Sequence, residues 1–237
     1  MKTSTPRARA VPSLGLVPPQ AEPNAPVQML ARGDVLFEAG SFATPCRIVS
    51  GAVRMDPQGA HHDAVLLALP GDLLGLDALI GQPQSGSARA IVHTVVAPLP
   101  AMPDLAWRGL LVRSLVAQQN RGAELSRLRT GSAAERVGFL LRVLAGQIVH
   151  SGDAANTPRP DPVCELPTLA DMAGVTGSAW ETVSRVISAM RRCGMLQDVQ
   201  ARHVRLGQAL LEEAEAFPTG MTRSRVHDGA SAQPMVQ

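Results

Sequence analysis

Residues 166–196, LPTLADMAGVTGSAWETVSRVISAMRRCGML, decide how the rest of the chain is read. Thr168 can cap a short helix, with Asp171 three residues on to close a capping box. Leu169, Met172 and Ala173 then share one apolar face. Gly174 falls where the chain would leave that helix, a position suited to positive φ. Residues 175–178, Val-Thr-Gly-Ser, read as the turn. A second helix is predicted from about Ala179 to Cys193, with Val183, Val186, Ile187 and Met190 on its inner side. Its opposite face carries Trp180, Glu181, Ser184, Arg185, Ser188, Arg191 and Arg192. Two short helices joined by a Gly-bearing turn, the second polar and basic outside, describe a helix-turn-helix. Residues 195–199 and 203–206 read as the hairpin of its winged variant.

Working upstream, residues 132–135 (Ser-Ala-Ala-Glu) open another helix with a capping-box signature, its apolar face being Val137, Leu140, Leu141 and Leu144. Residues 104–131 are a long Pro-free helical run. Leu111, Leu115, Leu125 and Leu128 fall near one stripe, with Gln118 and Gly122 in its middle. A thin seam of this kind is completed by a partner helix, hence a dimer, or lies on its own domain. Residues 27–101 differ again. Short β runs at 35–37, 47–49, 52–55, 64–69 and 90–98 alternate with Gly and Pro turns, the pattern of a small antiparallel barrel or jelly roll. Residues 151–163 are a linker rich in Gly, Pro and Asp. Residues 1–25 and 218–237 have no apolar period and read as disordered tails.

Composition sets the outer bounds. The 237 residues carry 22 Lys+Arg against 20 Asp+Glu, a net charge of +2, and only Lys2 among the cations is a lysine. A hydrophobic fraction of 45% is enough for a real core and argues against a wholly disordered chain. No apolar run approaches the ~20 residues of a membrane span, and the N-terminus lacks a signal-peptide core, so a cytoplasmic protein is expected. The total of +2 hides a split. Residues 27–101 sum to −2, residues 107–142 to +5 (seven Arg, two Glu) and residues 164–206 to +1. An acidic sensor attached to a more basic, DNA-facing half is the reading.

The segment LADMAGVT, then ETVSRV, then RRCGML resembles the DNA-binding domain of the Crp/Fnr family of bacterial transcription regulators. SAAERVGFLLRVLA is similar to the family's helix after the dimer helix. ARGDVLFEAGSFATPCRIVSGAVRM and LALPGDLLGLDAL resemble its cyclic-nucleotide-binding-type barrel. The resemblance runs from about residue 27 to 217. It implies an α+β chain in five parts: tail 1–25, sensor barrel 26–103, dimerisation helix 104–131, winged helix-turn-helix 132–217 and tail 218–237. It also implies a non-enzymatic homodimer on double-stranded DNA that meets RNA polymerase.

The candidate DNA-contacting residues are Trp180, Glu181, Thr182, Ser184 and Arg185, with Thr176 and Ser178 from the turn. Arg185 can donate two bonds to the O6/N7 edge of guanine, and Glu181 can accept from a cytosine amino group. Ser184 can meet a base edge or a phosphate. The spacing Glu181-x-x-Ser184-Arg185 resembles the FNR branch, whose half-site is TTGAT-like. Alternatively Glu181 caps its helix, since Ser178-x-x-Glu181 is itself a capping box. Arg191, Arg192, Arg202 and Arg205 suit phosphates or a solvated face. Against the family pattern, residues 177–179 look like an insertion, which would lengthen the loop or extend the recognition helix.

For the sensor, the resemblance places a ribose-binding Glu after the barrel Gly and a phosphate-binding Arg further on. Here Gly75 is followed by Leu76 and Asp77, and the Arg position falls near Gln84, with Arg89 displaced. That argues against cyclic AMP. The three cysteines, Cys46, Cys164 and Cys193, are too few and too scattered for a four-cysteine 4Fe-4S cluster of the FNR type. No cofactor is therefore expected. Cys193 lies between Arg192 and Gly194, where it is either a redox-active thiolate or a filler of a core gap. His61, His62 and Asp63 read as the flank of a hairpin turn, and His93 as structural. The competing functions are a haem- or small-molecule-sensing member of the same family, a cupin-like metalloenzyme with few ligands to build on, and a protein-interaction module whose helix-turn-helix no longer binds DNA.

Overall fold

A computed structural model describes residues 26–59, 65–146 and 162–211. The two terminal tails, most of the linker, and His61, His62 and Asp63 lie outside the described residues. The architecture is α+β. Eight strands come first: β1 (Gln28–Leu30), β2 (Val35–Phe37), β3 (Cys46–Ser50), β4 (Val53–Pro57), β5 (Leu66–Ala68), β6 (Leu73–Leu74), β7 (Gly86–Ala90) and β8 (Thr94–Pro98). They form two antiparallel four-stranded sheets, ordered β1-β8-β3-β6 and β2-β7-β4-β5. The register sets Ile48 opposite Val96 and Val53 opposite Ala90. Alternate residues point inward, as the two-residue strand period requires. Thus Cys46 and Ile48 of β3 are buried while Arg47 and Val49 face out. Leu30, Phe37, Ile48, Val53, Leu74 and Val96 close the interior from both sheets.

The 90–98 run is not one strand. It splits into β7 and β8 around a turn at 91–93, because β7 is built from Gly86, Ser87, Ala88, Arg89 and Ala90 and carries no large apolar residue to mark it. Ala88 and Ala90 are nevertheless wholly buried.

Helix α1 (Asp104–Leu125) follows, and a 3-10 turn (Ser126–Leu128) ends it. The helix thus stops six residues before the expected 131. Its stripe is also divided. Leu128 is buried, Leu125 packs beside it, and Leu111 packs against Trp107, while Leu115 is exposed. Helix α2 (Ala133–Leu144) starts at the full capping box. Ser132 Oγ accepts from Glu135 N–H at 3.3 Å, and Glu135 Oε2 accepts from Ser132 N–H at 2.6 Å. Those bonds hold the Glu135 carboxyl below its ordinary range.

The remaining elements are β9 (Val163–Glu165), α3 (Leu169–Thr176), α4 (Trp180–Arg192), β10 (Leu196–Gln200), β11 (His203–Leu206) and α5 (Gln208–Leu211). Strands β10, β11 and β9 make a three-stranded antiparallel sheet in that order. Leu140, Leu141, Met172, Val183, Ile187 and Val204 form its core with the helices. Leu67, Leu69, Ile91 and Val92 of the barrel segment belong to the same buried cluster. The apolar interior therefore runs across the boundary between the barrel and the C-terminal unit. Leu140 is fully buried at its centre, so Leu140→Ala should cost about 2–5 kcal/mol and shift the urea midpoint down accordingly.

Candidate nucleic-acid interface

The α3–α4 unit is shaped by its ends. Thr168 caps α3, its hydroxyl accepting from Asp171 N–H at 3.0 Å. The Asp171 carboxylate does not close the box on the backbone. It accepts from the Thr168 hydroxyl at 2.6 Å and turns its other oxygen away from the helix. Gly174 does not leave the helix, contrary to the sequence reading. It stays helical, and Gly177 takes the left-handed conformation instead, at φ 58 and ψ 41. Ser178 N–H donates to Ala173 O and Gly177 N–H to Gly174 O, the paired bonds of a Schellman cap. Only glycine takes that φ cheaply. Arg136 of α2 donates to the carbonyls of Thr176 at 2.7 Å and Gly177 at 3.1 Å, fixing the turn from below.

The connection between the helices is therefore residues 177–179, with Ala179 as the extended residue before α4. Three residues are the ordinary length for a helix-turn-helix. Residues 177–179, read as an insertion, therefore form a loop of ordinary length and do not add to α4. The Ser178–Glu181 capping box is absent, since Ala179 occupies the cap position and no side chain bonds to it.

Most of the candidate contact residues share one surface. Trp180, Glu181 and Arg185 are exposed, and Thr182 and Ser184 are half-buried. Glu181 and Arg185 are one helical turn apart, and neither is engaged in an ion pair or hydrogen bond among the described residues. Thr176 does not belong with them. It is fully buried, and its hydroxyl donates to Met172 O at 2.7 Å. Ser178 is half-buried, its hydroxyl 3.1 Å from that of Thr176. Thr176 thus faces inward, whereas Ser178 is half-buried like Thr182 and Ser184.

Much of the basic segment upstream is used in internal contacts, although Arg108, Arg113 and Arg127 are exposed. Arg121 is buried against Asp72 at 2.9 Å. Arg129 donates to Val65 O, Arg136 serves the turn, and Arg127 stacks 4.7 Å above Phe139. Arg142 is buried. Among the predicted phosphate contacts, Arg191 is tied to Asp198 of β10 at 2.9 Å, and Arg202 sits at the β10–β11 turn with φ 71.

In the barrel, Asp77 accepts from Ser85 N–H at 2.7 Å and Ser85 Oγ at 2.8 Å. Gln84 is buried with its Nε2 unpartnered. Arg89 reaches across to Asp171 rather than into the barrel. His93 is exposed, and its backbone N–H donates to Glu165. A half-open cleft of about 410 Å³ lies between the barrel, α1 and α3, lined by Met55, Leu67, Leu125, Val175 and the Arg121–Asp72 pair.

The described parts are thus a two-sheet barrel, a long helix and a two-helix unit whose second helix shows a polar outer face. No family model matches the chain. It is 28% identical over 191 residues to the transcriptional regulator LdrP of Thermus thermophilus, a match covering 78% of this chain and 95% of that protein. It is 23% identical over 201 residues to the regulatory protein HlyX of Actinobacillus pleuropneumoniae, covering 79% of each. A solved CRP-family transcriptional regulator from Thermus thermophilus superposes with a TM-score of 0.56 at 27% identity, covering 78% of this chain and 94% of that one. A CRP/FNR-family regulator from the same organism shares the fold, with a TM-score of 0.52 at 24% identity, covering 79% of this chain and 99% of the other. In sequence and fold the chain is thus similar to transcription regulators of the CRP and CRP/FNR families. These relatives are regulators and not enzymes. Among the described residues no helix is long and apolar enough to cross a membrane.

The three thiols differ in environment. Burial pushes Cys46 up to about 11 and Cys164 up to about 12, whereas Cys193, the residue that ends α4, is exposed. Cys193 therefore fills no core gap. Native protein at pH 8 should release one fast equivalent from a thiol-disulfide reagent, with Cys46 and Cys164 reacting only after denaturation.

Proposed function

We propose that the chain is a dimeric, sequence-specific DNA-binding transcription regulator whose α3–α4 unit, with β9–β11, works as a winged helix-turn-helix. The observation that carries this reading is the outer face of α4. Glu181, Ser184 and Arg185 stand together on a helix whose other face, through Val183, Ile187 and Met190, is locked into the core. Arginine offers two parallel donors to guanine, and a free carboxylate accepts from cytosine, so the pair can read a G·C step in the major groove. The half-site is TTGAT-like, as in the FNR branch. The Thr176 hydroxyl, buried inside the turn, plays no part in it.

Dimerisation is supported by α1, where Leu105, Val112 and Leu115 are 84%, 60% and 57% exposed along one side. Apolar residues at heptad-like spacing on a long helix are covered by a second copy, which sets two α4 helices about 10 base pairs apart. The dimer works in the cytoplasm, where a promoter-bound protein meets RNA polymerase. Its barrel takes neither cyclic AMP nor an iron–sulfur cluster. Asp77 and Arg89 are spent on structural contacts, and two of the three cysteines are buried. A second reading, a sensor of some other small molecule, rests on the cleft beside Arg121.

Mobility shift on a TTGAT–ATCAA palindrome tests the first reading. Arg185→Ala should weaken binding by about 1–3 kcal/mol, and unchanged affinity would remove Arg185 from base contact. Sedimentation tests the assembly. Leu115→Glu should convert a dimer to monomers and abolish binding to the palindrome.

A further inference from the structure

Three barrel arginines end on the C-terminal unit. Arg89 of β7 bonds the Asp171 carboxylate at 2.5 Å, and Arg54 of β4 approaches the same oxygen at 3.5 Å. Arg54 is itself held in place by two-point bonding to Asp56 at 2.7–3.0 Å. Arg32, in the β1–β2 turn, donates to Leu166 O at 2.8 Å and lies 3.9 Å from Glu165. The β7–β8 turn adds His93 N–H, which donates to the other oxygen of Glu165 at 2.7 Å. Residues 165–171 are thus gripped from four places on the barrel.

Gly174 is an independent sign that the contact is built into the sequence. A Cβ there would stand 2.6 Å from Arg54 Nη1 and 2.9 Å from its Cζ. A side chain there would push the Arg54 guanidinium off α3, and the glycine is helical, so no turn accounts for it. Asp171 is 1% exposed, which leaves its charge no solvent to fall back on. Beneath these polar contacts, Leu67, Ile91 and Val92 share a buried cluster with α3 and α4.

We infer that these contacts form a permanent ionic clasp, which fixes the α3–α4 unit against the barrel, with the outer face of α4 left open, without any small molecule. The inference rests on the DNA-binding reading above. Arginine stays ionised at every physiological pH, so the clasp needs no effector to charge it. It leaves the reading face open: Trp180, Glu181 and Arg185 are exposed while Asp171 is held. A unit fixed beforehand avoids the ordering cost of docking two helices at once, and the second half-site is met at high effective concentration.

The test uses the full chain in four forms: unchanged, Arg89→Ala, Arg54→Ala/Arg89→Ala and Gly174→Ala. Gly174→Ala is the informative one. Alanine favours the helix, so loss of function there reports the displaced Arg54 and not a failed fold. Spin labels on the exposed Cys193 and on a cysteine introduced by Arg47→Cys, diluted with unlabelled protein, report the orientation. Without DNA, the unchanged chain should give one narrow distance, and the double and glycine variants a broad one. Their affinity for the palindrome, or for a sequence selected from a random pool, should fall about tenfold or more. An unbroadened distance in the variants overturns the clasp. Unchanged affinity, or tighter binding, also overturns it, the latter showing that the clasp holds the unit off DNA. Failure of the unchanged chain to bind any DNA overturns the DNA-binding reading instead, and the distances still decide whether the clasp exists.

Discussion

A carboxylate taken out of water must be given partners, and Asp171 is almost completely out of water. Its partners come from three separate parts of the chain. Thr168 holds one oxygen from the start of the same helix, while Arg54 and Arg89 reach the other from two barrel strands. Strands β4 and β7 are hydrogen-bonded neighbours, so their two arginines leave one sheet side by side. Burying that charge is tolerable only if the barrel and α3 keep their relative position. The local choice of a helix-capping residue thereby becomes a constraint on the whole molecule.

The rest of the unit is arranged to keep that position. The Gly177 cap reverses the chain in three residues, and Arg136 binds the two carbonyls that the end of α3 would otherwise leave open. Arg191 ties the last turn of α4 to β10. The inner face of α4 is committed to the core and its C-terminal end is tied to β10, so its outer residues are displayed on a packed support. Precision of this kind is what base-edge recognition demands, since hydrogen bonds to bases tolerate small errors in distance and angle only.

The helices are legible in the sequence because their signals are local. Thr168 and Ser132 as caps, and the inward row Val183, Ile187 and Met190, can be read without knowing what they touch. The large β runs are visible for the same reason. What escapes is set by contacts distant in sequence. Strand β7 hides because its inward residues, Ala88 and Ala90, are small although wholly buried, and burial is set by the rest of the barrel. Gly174 reads as a turn glycine, since nothing nearby in the chain reveals that Arg54, 120 positions away, lies upon it. Thr176 reads as a surface hydroxyl because its burial depends on how α3 packs. The three-residue turn reads as an insertion when its length is judged by resemblance and not by the cap that Gly177 makes.

Charge is the least legible property, and the reason is chemical. With a single lysine, nearly all the cations of this chain are arginines. A lysine keeps its compact, strongly hydrated ammonium near water, whereas a guanidinium is weakly hydrated and offers five donors in a plane. It can therefore be buried against carbonyls, carboxylates and aromatic rings. Arg121, Arg127, Arg136 and Arg142 are used in these ways, as are Arg32, Arg54 and Arg89 in the barrel. A segmental sum of +5 over residues 107–142 thus measures internal bonding as much as surface potential. The charges free to meet any partner are those left unpaired by the fold, and on α4 that remainder includes Arg185 with Glu181 beside it.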